Sequence, residues 1–255
     1  MKKIFIFDVD NTLVDSKIGK VPFKTEELIK KLYQKDDVIL GIATGRGPGN
    51  IEEIVSIIDY FDILILGNGS YVSYKKEMVF DSPFSCLHIK KVLDSAEKYN
   101  ITIGATGKKT SALLKLTDNI YQLRKKEAII KIDFFKNEPI YQLWGASKSE
   151  KDLNNFVNSL KFLDFYHWSL GGVDLVYPKV SKKNGVLKIL EYLNTPYQLI
   201  AVGDGNNDIE LIEMADIGIA MSNTKFPDLI KKAHLVAPHV GEDELYNFFL
   251  ENSFI

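Results

Sequence analysis

The chain has 255 residues, 45% of them hydrophobic, 26% charged and 11% aromatic, which gives it the apolar material for packed cores and sets it apart from disordered or fibrous sequences. Its 32 basic and 34 acidic residues leave a net charge of −2, which excludes the broad basic footprint of a general nucleic-acid or membrane-surface binder. The single cysteine, Cys86, can build neither an internal disulfide nor a multi-cysteine metal centre, and a reducing, cytoplasmic setting is expected.

Met1-Lys2-Lys3 ahead of Ile4-Phe5-Ile6-Phe7 has the outline of a secretory signal. The apolar run stops at Asp8, short of the roughly 7–15 residues such a segment needs. No run approaches the ~18 apolar residues of a membrane span, so a soluble, unprocessed chain is expected. Residues 3–9 (KIFIFDV) read as a buried parallel strand. A helix is predicted from Lys24 to Gln34, with Thr25, Glu26 and Glu27 suited to its start. Residues 37–43 (DVILGIA) form a second strand, and Thr44 to Gly49 a sharp turn. A helix is predicted from there to about Asp59, with Ile51, Ile54, Val55 and Ile58 on one face. Residues 62–66 (DILIL) form a third strand, and this order implies a parallel sheet with right-handed crossovers.

After Gly67-Asn68-Gly69 the grammar changes. Residues 70–80 alternate as a hairpin does. Helical patterns recur near 86–99 and 150–163, and strand-like runs near 101–105, 129–135, 140–146 and 172–177. Parallel-sheet grammar returns past Pro178. There a helix is expected from 181 to 193 and a strand at 198–203, then a helix at 209–215 and a strand at 217–221. A helix near 226–232, a strand at 234–237 and a helix at 242–250 follow. The expected fold is α/β: a Rossmann-like parallel-sheet core of residues 1–79 and 180–255, with an α+β module of residues 80–179 inserted. The module's sheet is expected to be mixed, with helices on one face. It carries a net positive charge and the remainder a net negative one, an asymmetry that suits an anionic substrate as well as it suits ordinary surface lysines.

The chemistry gathers at strand ends. Asp8 and Asp10 lie two positions apart, so an extended backbone aims both carboxylates the same way. Such a pair repels unless a cation or proton intervenes. Asp204 ends another predicted strand and adds a third oxygen donor. An all-oxygen, carboxylate-rich set suits Mg²⁺. Nothing suits zinc, since His88, His167, His234 and His239 are scattered and Cys86 is alone. Taken singly, Thr44 reads as a helix N-cap and Lys182 as a solvent-exposed lysine. Arg46 reads equally as a substrate contact or an ion-pair partner, and Phe162, Phe165, Tyr166 and Trp168 read as core of the inserted module.

Four segments together carry a resemblance. Phe7-Asp8-Val9-Asp10-Asn11-Thr12-Leu13 is similar to the first motif of the haloacid dehalogenase superfamily of phosphatases, and Ile42-Ala43-Thr44-Gly45-Arg46 to the second. Lys182, within Val180 to Gly185, resembles the third, and Gly203-Asp204-Gly205-Asn206-Asn207-Asp208 the fourth. Gly67-Asn68-Gly69 and Gly218 to Asn223 match patterns of its Cof-type branch, and the insert sits where that branch carries a C2-type cap. Asn11 departs from the glycine usual at its position, which leaves both acids in place.

The resemblance implies a Mg²⁺-dependent phosphatase acting on a small-molecule phosphate ester, a sugar phosphate for preference, with no nucleic-acid or membrane partner and an open oligomeric state. By that resemblance Asp8 is the nucleophile and forms an aspartyl phosphate, while Asp10 protonates the leaving oxygen and then activates water. Asp8, Asp204 and the Asp10 main-chain carbonyl hold the metal, supported by Asp208. The Val9 and Gly45 amides, the Thr44 hydroxyl, Lys182 and Asn207 bind phosphoryl oxygens, and the cap selects the substrate. Two alternatives share these residues: a phosphomutase that passes the phosphoryl group to another hydroxyl, and a non-catalytic phosphometabolite-binding regulator.

Overall fold

The computed structural model describes residues 2–117, 129–168 and 171–255. In its first strand, β1 (Lys2–Phe7), Ile4 and Ile6 are buried in one core cluster and Phe5 and Phe7 in another. This alternation serves a strand covered on both faces. The chain continues through α1 (Phe23–Tyr33), β2 (Val38–Ala43), β3 (Ile63–Leu66) and the hairpin of β4 (Tyr71–Tyr74) and β5 (Glu77–Asp81). Then come α2 (Cys86–Lys98), β6 (Thr102–Gly107), β7 (Ser111–Lys115), β8 (Ile140–Ala146), α3 (Glu150–Ser159), β9 (Asp164–His167) and β10 (Gly172–Val176). Next are α4 (Lys182–Leu193), β11 (Tyr197–Gly203), α5 (Ile209–Met214), β12 (Ile217–Met221), α6 (Pro227–Lys232), β13 (Leu235–Ala237) and α7 (Leu245–Glu251). No helix among the described residues is long and apolar enough to cross a membrane.

The residues divide into two compact units. Met1–Thr44, Ile51–Asp81 and Ser181–Ile255 form the first; Gly45–Asn50 and Ser82–Val180 form the second. The first holds a sheet of order β13-β12-β11-β1-β2-β3-β4-β5, parallel from β13 to β3 and antiparallel at the β4–β5 hairpin. Leu28, Ile29 and Leu32 of α1 and Leu245 and Phe249 of α7 share a core with Phe5 and Phe7. Val186 and Ile189 of α4 and Leu211 and Ile212 of α5 share the other with Ile4 and Ile6. Phe7 pairs with both Ile42 and Val202, and Gly203 with Ala220. The residues that follow β1, β2, β11 and β12 therefore leave the sheet at one edge, the carboxyl edge, where open parallel sheets bind ligands.

In the second unit the order is β7-β6-β8-β10-β9, with antiparallel pairings between these strands and a parallel bridge from Leu113 of β7 to Ile130 beside them. Ile103, Ala105, Leu143, Val173 and Leu175 share a core with Ile89 and Val92 of α2 and Leu153 and Phe156 of α3. Residues 45–50 group here rather than with the core to which their sequence position assigns them. The Gly47 N–H donates to Gln142 Oε1 at 3.0 Å and the Gly49 N–H to the Gly107 carbonyl at 3.1 Å.

Three further expectations are corrected. The helix expected up to Asp59 is replaced by two single 3₁₀ turns, Glu52–Ile54 and Ile58–Tyr60, and Val55, expected on the buried face, is exposed. Ile51, Ile54, Val55, Ile57 and Ile58 are β-branched, and three glycines and a proline precede them, so local preference for a helix is weak. The strand expected at 129–135 is only a bridge between Ile130 and Leu113, followed by a 3₁₀ turn at Phe134–Lys136. Ile129, Ile130 and Ile132 are exposed while the adjacent Phe134 and Phe135 are buried, so burial along the run does not alternate as a strand's would. The helix expected up to 163 stops at Ser159, and β9 begins at Asp164.

Candidate active site

Asp8 follows β1 directly, and its N–H extends the ladder by donating to the Val202 carbonyl at 2.9 Å. The loop behind it turns tightly: the Val9 carbonyl accepts from the Leu13 and Val14 amides at 3.0 and 2.8 Å, and the Asn11 N–H donates to the Val14 carbonyl at 2.7 Å. Asn11 takes φ +59° to make that turn. This explains why glycine suits the position and why asparagine, the side chain most tolerant of left-handed backbone, replaces it without disturbing Asp8 or Asp10.

Lys182 reaches this loop from the first turn of α4. Ser181 caps the helix by accepting from the Asn184 N–H at 3.1 Å. Two glycines let that turn sit close. A Cβ on Gly69, at φ +102°, would lie 2.4 Å from the Ser181 carbonyl oxygen, and one on Gly185 would lie 2.5 Å from Ile65 Cγ2. Lys182 is fully buried, which reverses the reading of an exposed lysine. Its Nζ donates to Asp8 Oδ1 at 2.6 Å and to Asp208 Oδ1 at 2.7 Å. Asp208 Oδ2 accepts from the Gly205 N–H at 2.9 Å, which ties down the loop bearing Asp204.

Carboxylate oxygens of Asp8, Asp204 and Asp208 all lie within 4.8 Å of one another. The Asp10 side chain is no member of this cluster; the family resemblance gives Asp10 a metal contact through its main-chain carbonyl instead. Burial pushes the Asp8 carboxyl up to about 7, against the pull of Lys182 and with help from the Asp208 and Asp10 charges. Burial and then the charges of Asp8 and Asp208 push Asp204 up to about 8. Burial opposes the Lys182 ammonium too, but Asp208 and Asp8 more than offset it and hold its pKa above the ordinary lysine value. One ammonium cannot neutralise three crowded carboxylates, so a proton stays with the Asp8–Asp204 pair near neutral pH unless a cation replaces it. The donor set is all oxygen, close-spaced and over-charged, and it fits a hard divalent cation.

Thr44, fully buried at the end of β2, donates its N–H to the Ile65 carbonyl and accepts from the Asn68 N–H, both at 2.9 Å. Asn68 is buried at φ +56° and accepts from Asn207 Nδ2 at 2.7 Å. It thereby links the segment after β2 to the one after β11. Sequence reasoning assigned Asn68 no role; its position between two glycines was the available signal. Val9 is buried, and Gly45 opens the 45–50 stretch described with the second unit.

A family model described as haloacid dehalogenase-like hydrolase matches residues 5–249. A putative bifunctional phosphatase/peptidyl-prolyl cis-trans isomerase of Streptococcus pyogenes is 27% identical over 94% of this chain; the chain spans 52% of that protein's length. The putative phosphatase YkrA of Bacillus subtilis is 24% identical, with 94% of each chain aligned. A 5-amino-6-(5-phospho-D-ribitylamino)uracil phosphatase of the same organism is 25% identical over 90% of this chain and 87% of its own length. Among solved structures, a sugar phosphatase of haloacid dehalogenase subclass IIB superposes with a TM-score of 0.85 at 21% identity, all of both chains being covered. The chain belongs to the haloacid dehalogenase-like hydrolases, and it stands among the phosphatases of that family.

Proposed function

We propose that the protein hydrolyses a small phosphorylated metabolite through an aspartyl phosphate on Asp8, with Mg²⁺ as cofactor. The observation that carries this reading is the cluster of buried Asp8, Asp208 and Lys182 with half-buried Asp204 at the carboxyl edge of a parallel sheet. Asp8, Asp204 and the Asp10 main-chain carbonyl would hold Mg²⁺, with Asp208 in support. Bound there, the ion neutralises the carboxylates and the phosphoryl group, whose mutual repulsion otherwise opposes attack.

Asp8 attacks phosphorus; the new bond joins its carboxylate oxygen to phosphorus, and the ester P–O bond breaks. Asp10 gives its proton to the departing alkoxide. Asp10, now ionised, takes a proton from water, which attacks the aspartyl phosphate, releases inorganic phosphate and restores Asp8. The Val9 and Gly45 amides, the Thr44 hydroxyl and Lys182 receive the phosphoryl oxygens, and Asn207 adds a donor. Lys182 also fixes the Asp8 carboxylate, so less reorganisation is needed at attack. The second unit serves as the cap that reads the leaving group.

Two similar proteins support a substrate class for this reading. One acts by its name on a phosphoribitylamino compound and the other on sugar phosphates, so both carry phosphate on a polyhydroxylated chain. A sugar or sugar-alcohol phosphate, met in the cytoplasm, is the class proposed here. The test is phosphate release from p-nitrophenyl phosphate and a panel of such esters, with Mg²⁺ or with EDTA. Turnover that needs Mg²⁺ and no bisphosphate activator is the expected result and separates a hydrolase from a mutase. No release from any ester would leave only a binding role.

A further inference from the structure

The turn after β12 grips both acid-bearing loops. The Thr224 N–H donates to the Met221 carbonyl at 3.1 Å and closes a four-residue turn. Asn223 Nδ2 donates to the Asn11 carbonyl at 2.9 Å, while Asn223 Oδ1 accepts from the Val240 N–H at 2.8 Å. The Val240 amide can only donate, so the Asn223 oxygen must face it and the nitrogen must face Asn11. Thr224 Oγ1 lies 2.5 Å from the Asp204 carbonyl and accepts from the Phe226 N–H at 3.1 Å. Its one proton is therefore given to Asp204. Consecutive residues of one turn thus hold the Asp8–Asp10 loop on one side and the Asp204 loop on the other.

The pairing of β1 with β11 ends at the bond from the Asp8 N–H to the Val202 carbonyl. Beyond that rung the two loops leave the ladder, and the carboxylates they carry repel one another. We propose that Asn223 and Thr224 are positioning residues that set the separation of the Asp8 and Asp204 loops and so hold the carboxylate cluster at a size suited to Mg²⁺ rather than to a larger cation. The proposal rests on the metal reading of the cluster given above. Mg²⁺ demands short bonds in near-ideal octahedral geometry, whereas Ca²⁺ accepts longer bonds and irregular geometry. A slack cluster should therefore lose Mg²⁺ selectively.

The test is calorimetric titration of MgCl₂ and, separately, CaCl₂ into metal-stripped protein. Thr224→Val removes the hydroxyl at nearly constant volume, Asn223→Leu removes the bridging amide, and Thr224→Ser is the conservative rescue. Leu28→Val, in the α1 core, supplies destabilisation away from the turn. Thr224→Val and Asn223→Leu are expected to weaken Mg²⁺ by about tenfold or more and Ca²⁺ by less than about threefold. Thr224→Ser and Leu28→Val should retain the wild-type Mg²⁺ to Ca²⁺ ratio. If Asn223→Leu does not fold, Thr224→Val alone decides. Unchanged Mg²⁺ affinity in Thr224→Val, or equal loss of both cations, overturns the spacing role while the metal site stands. Wild-type protein that binds neither cation overturns the metal reading and this proposal with it.

Discussion

At the scale of single residues, Lys182 is a buried cation shared by two buried carboxylates. Removing one partner from such a group leaves uncompensated charge in the interior. Lys182→Met should cost about 3–5 kcal/mol in urea unfolding of metal-free protein at pH 8. The loss should shrink towards pH 5, where Asp8, its carboxyl pushed up to about 7, takes a proton. A loss below about 1 kcal/mol at pH 8 would contradict the ion-pair reading. Neither its neighbours nor its spacing marks Lys182 as buried. Its partners lie 174 and 26 residues away, so only the four motifs taken together identified it. Asn11 was legible as a departure from pattern, but its meaning needed a backbone angle. Asn223 and Thr224 bond main-chain carbonyls and amides of distant loops, and Asn68 links Thr44 to the Asn207 side chain; such long-range contacts leave no mark on the local sequence.

At the scale of elements, the strands of the first sheet were legible because both their faces are covered, and unbroken apolar runs such as Ile4 to Phe7 result. Apolar content misled where tertiary contacts decided the outcome. The residues from Ile51 to Ile58 have helical spacing but too many β-branched side chains, and those from Ile129 to Phe135 have strand composition but mostly exposed isoleucines. Ser111–Lys115 and Asp164–His167 are strands in the sheet of the second unit that their short sequences did not announce. α4 offers a test of how an element positions the site. Alanine at Gly185 is the better helix former by ~1 kcal/mol, yet its Cβ would lie 2.5 Å from Ile65 Cγ2. Gly185→Ala should therefore destabilise the fold by about 1–3 kcal/mol and lower kcat as the first turn of α4 shifts Lys182. A variant more stable than wild type, with full turnover, would show that the close seat of α4 is unimportant.

At the scale of the whole molecule, the carboxylate cluster links stability to pH and to the cation. The folded state keeps protons on Asp8 and Asp204 up to about 7 and 8, whereas the unfolded chain releases them near pH 4. Their contribution is therefore fully present below pH 4 and is lost as pH rises through 7 and 8. In EDTA, thermal stability should fall between pH 5 and pH 8. Mg²⁺ should restore it most at pH 8, by about 2.7 kcal/mol at a hundredfold excess over Kd, or roughly 5–10 °C. Calorimetry is the suitable measurement, because both tryptophans, Trp144 and Trp168, lie in the second unit. Stability that rises with pH in EDTA would contradict the assignment. The proposed reaction requires Asp8 to carry the phosphoryl group during turnover. Borohydride reduction during turnover, followed by peptide mass spectrometry, tests it most directly, because an aspartyl phosphate is reduced to homoserine. We predict homoserine at position 8 with substrate and Mg²⁺, and none in EDTA or in Asp8→Asn; sustained turnover with position 8 unreduced, or with the modification on another residue, would contradict it.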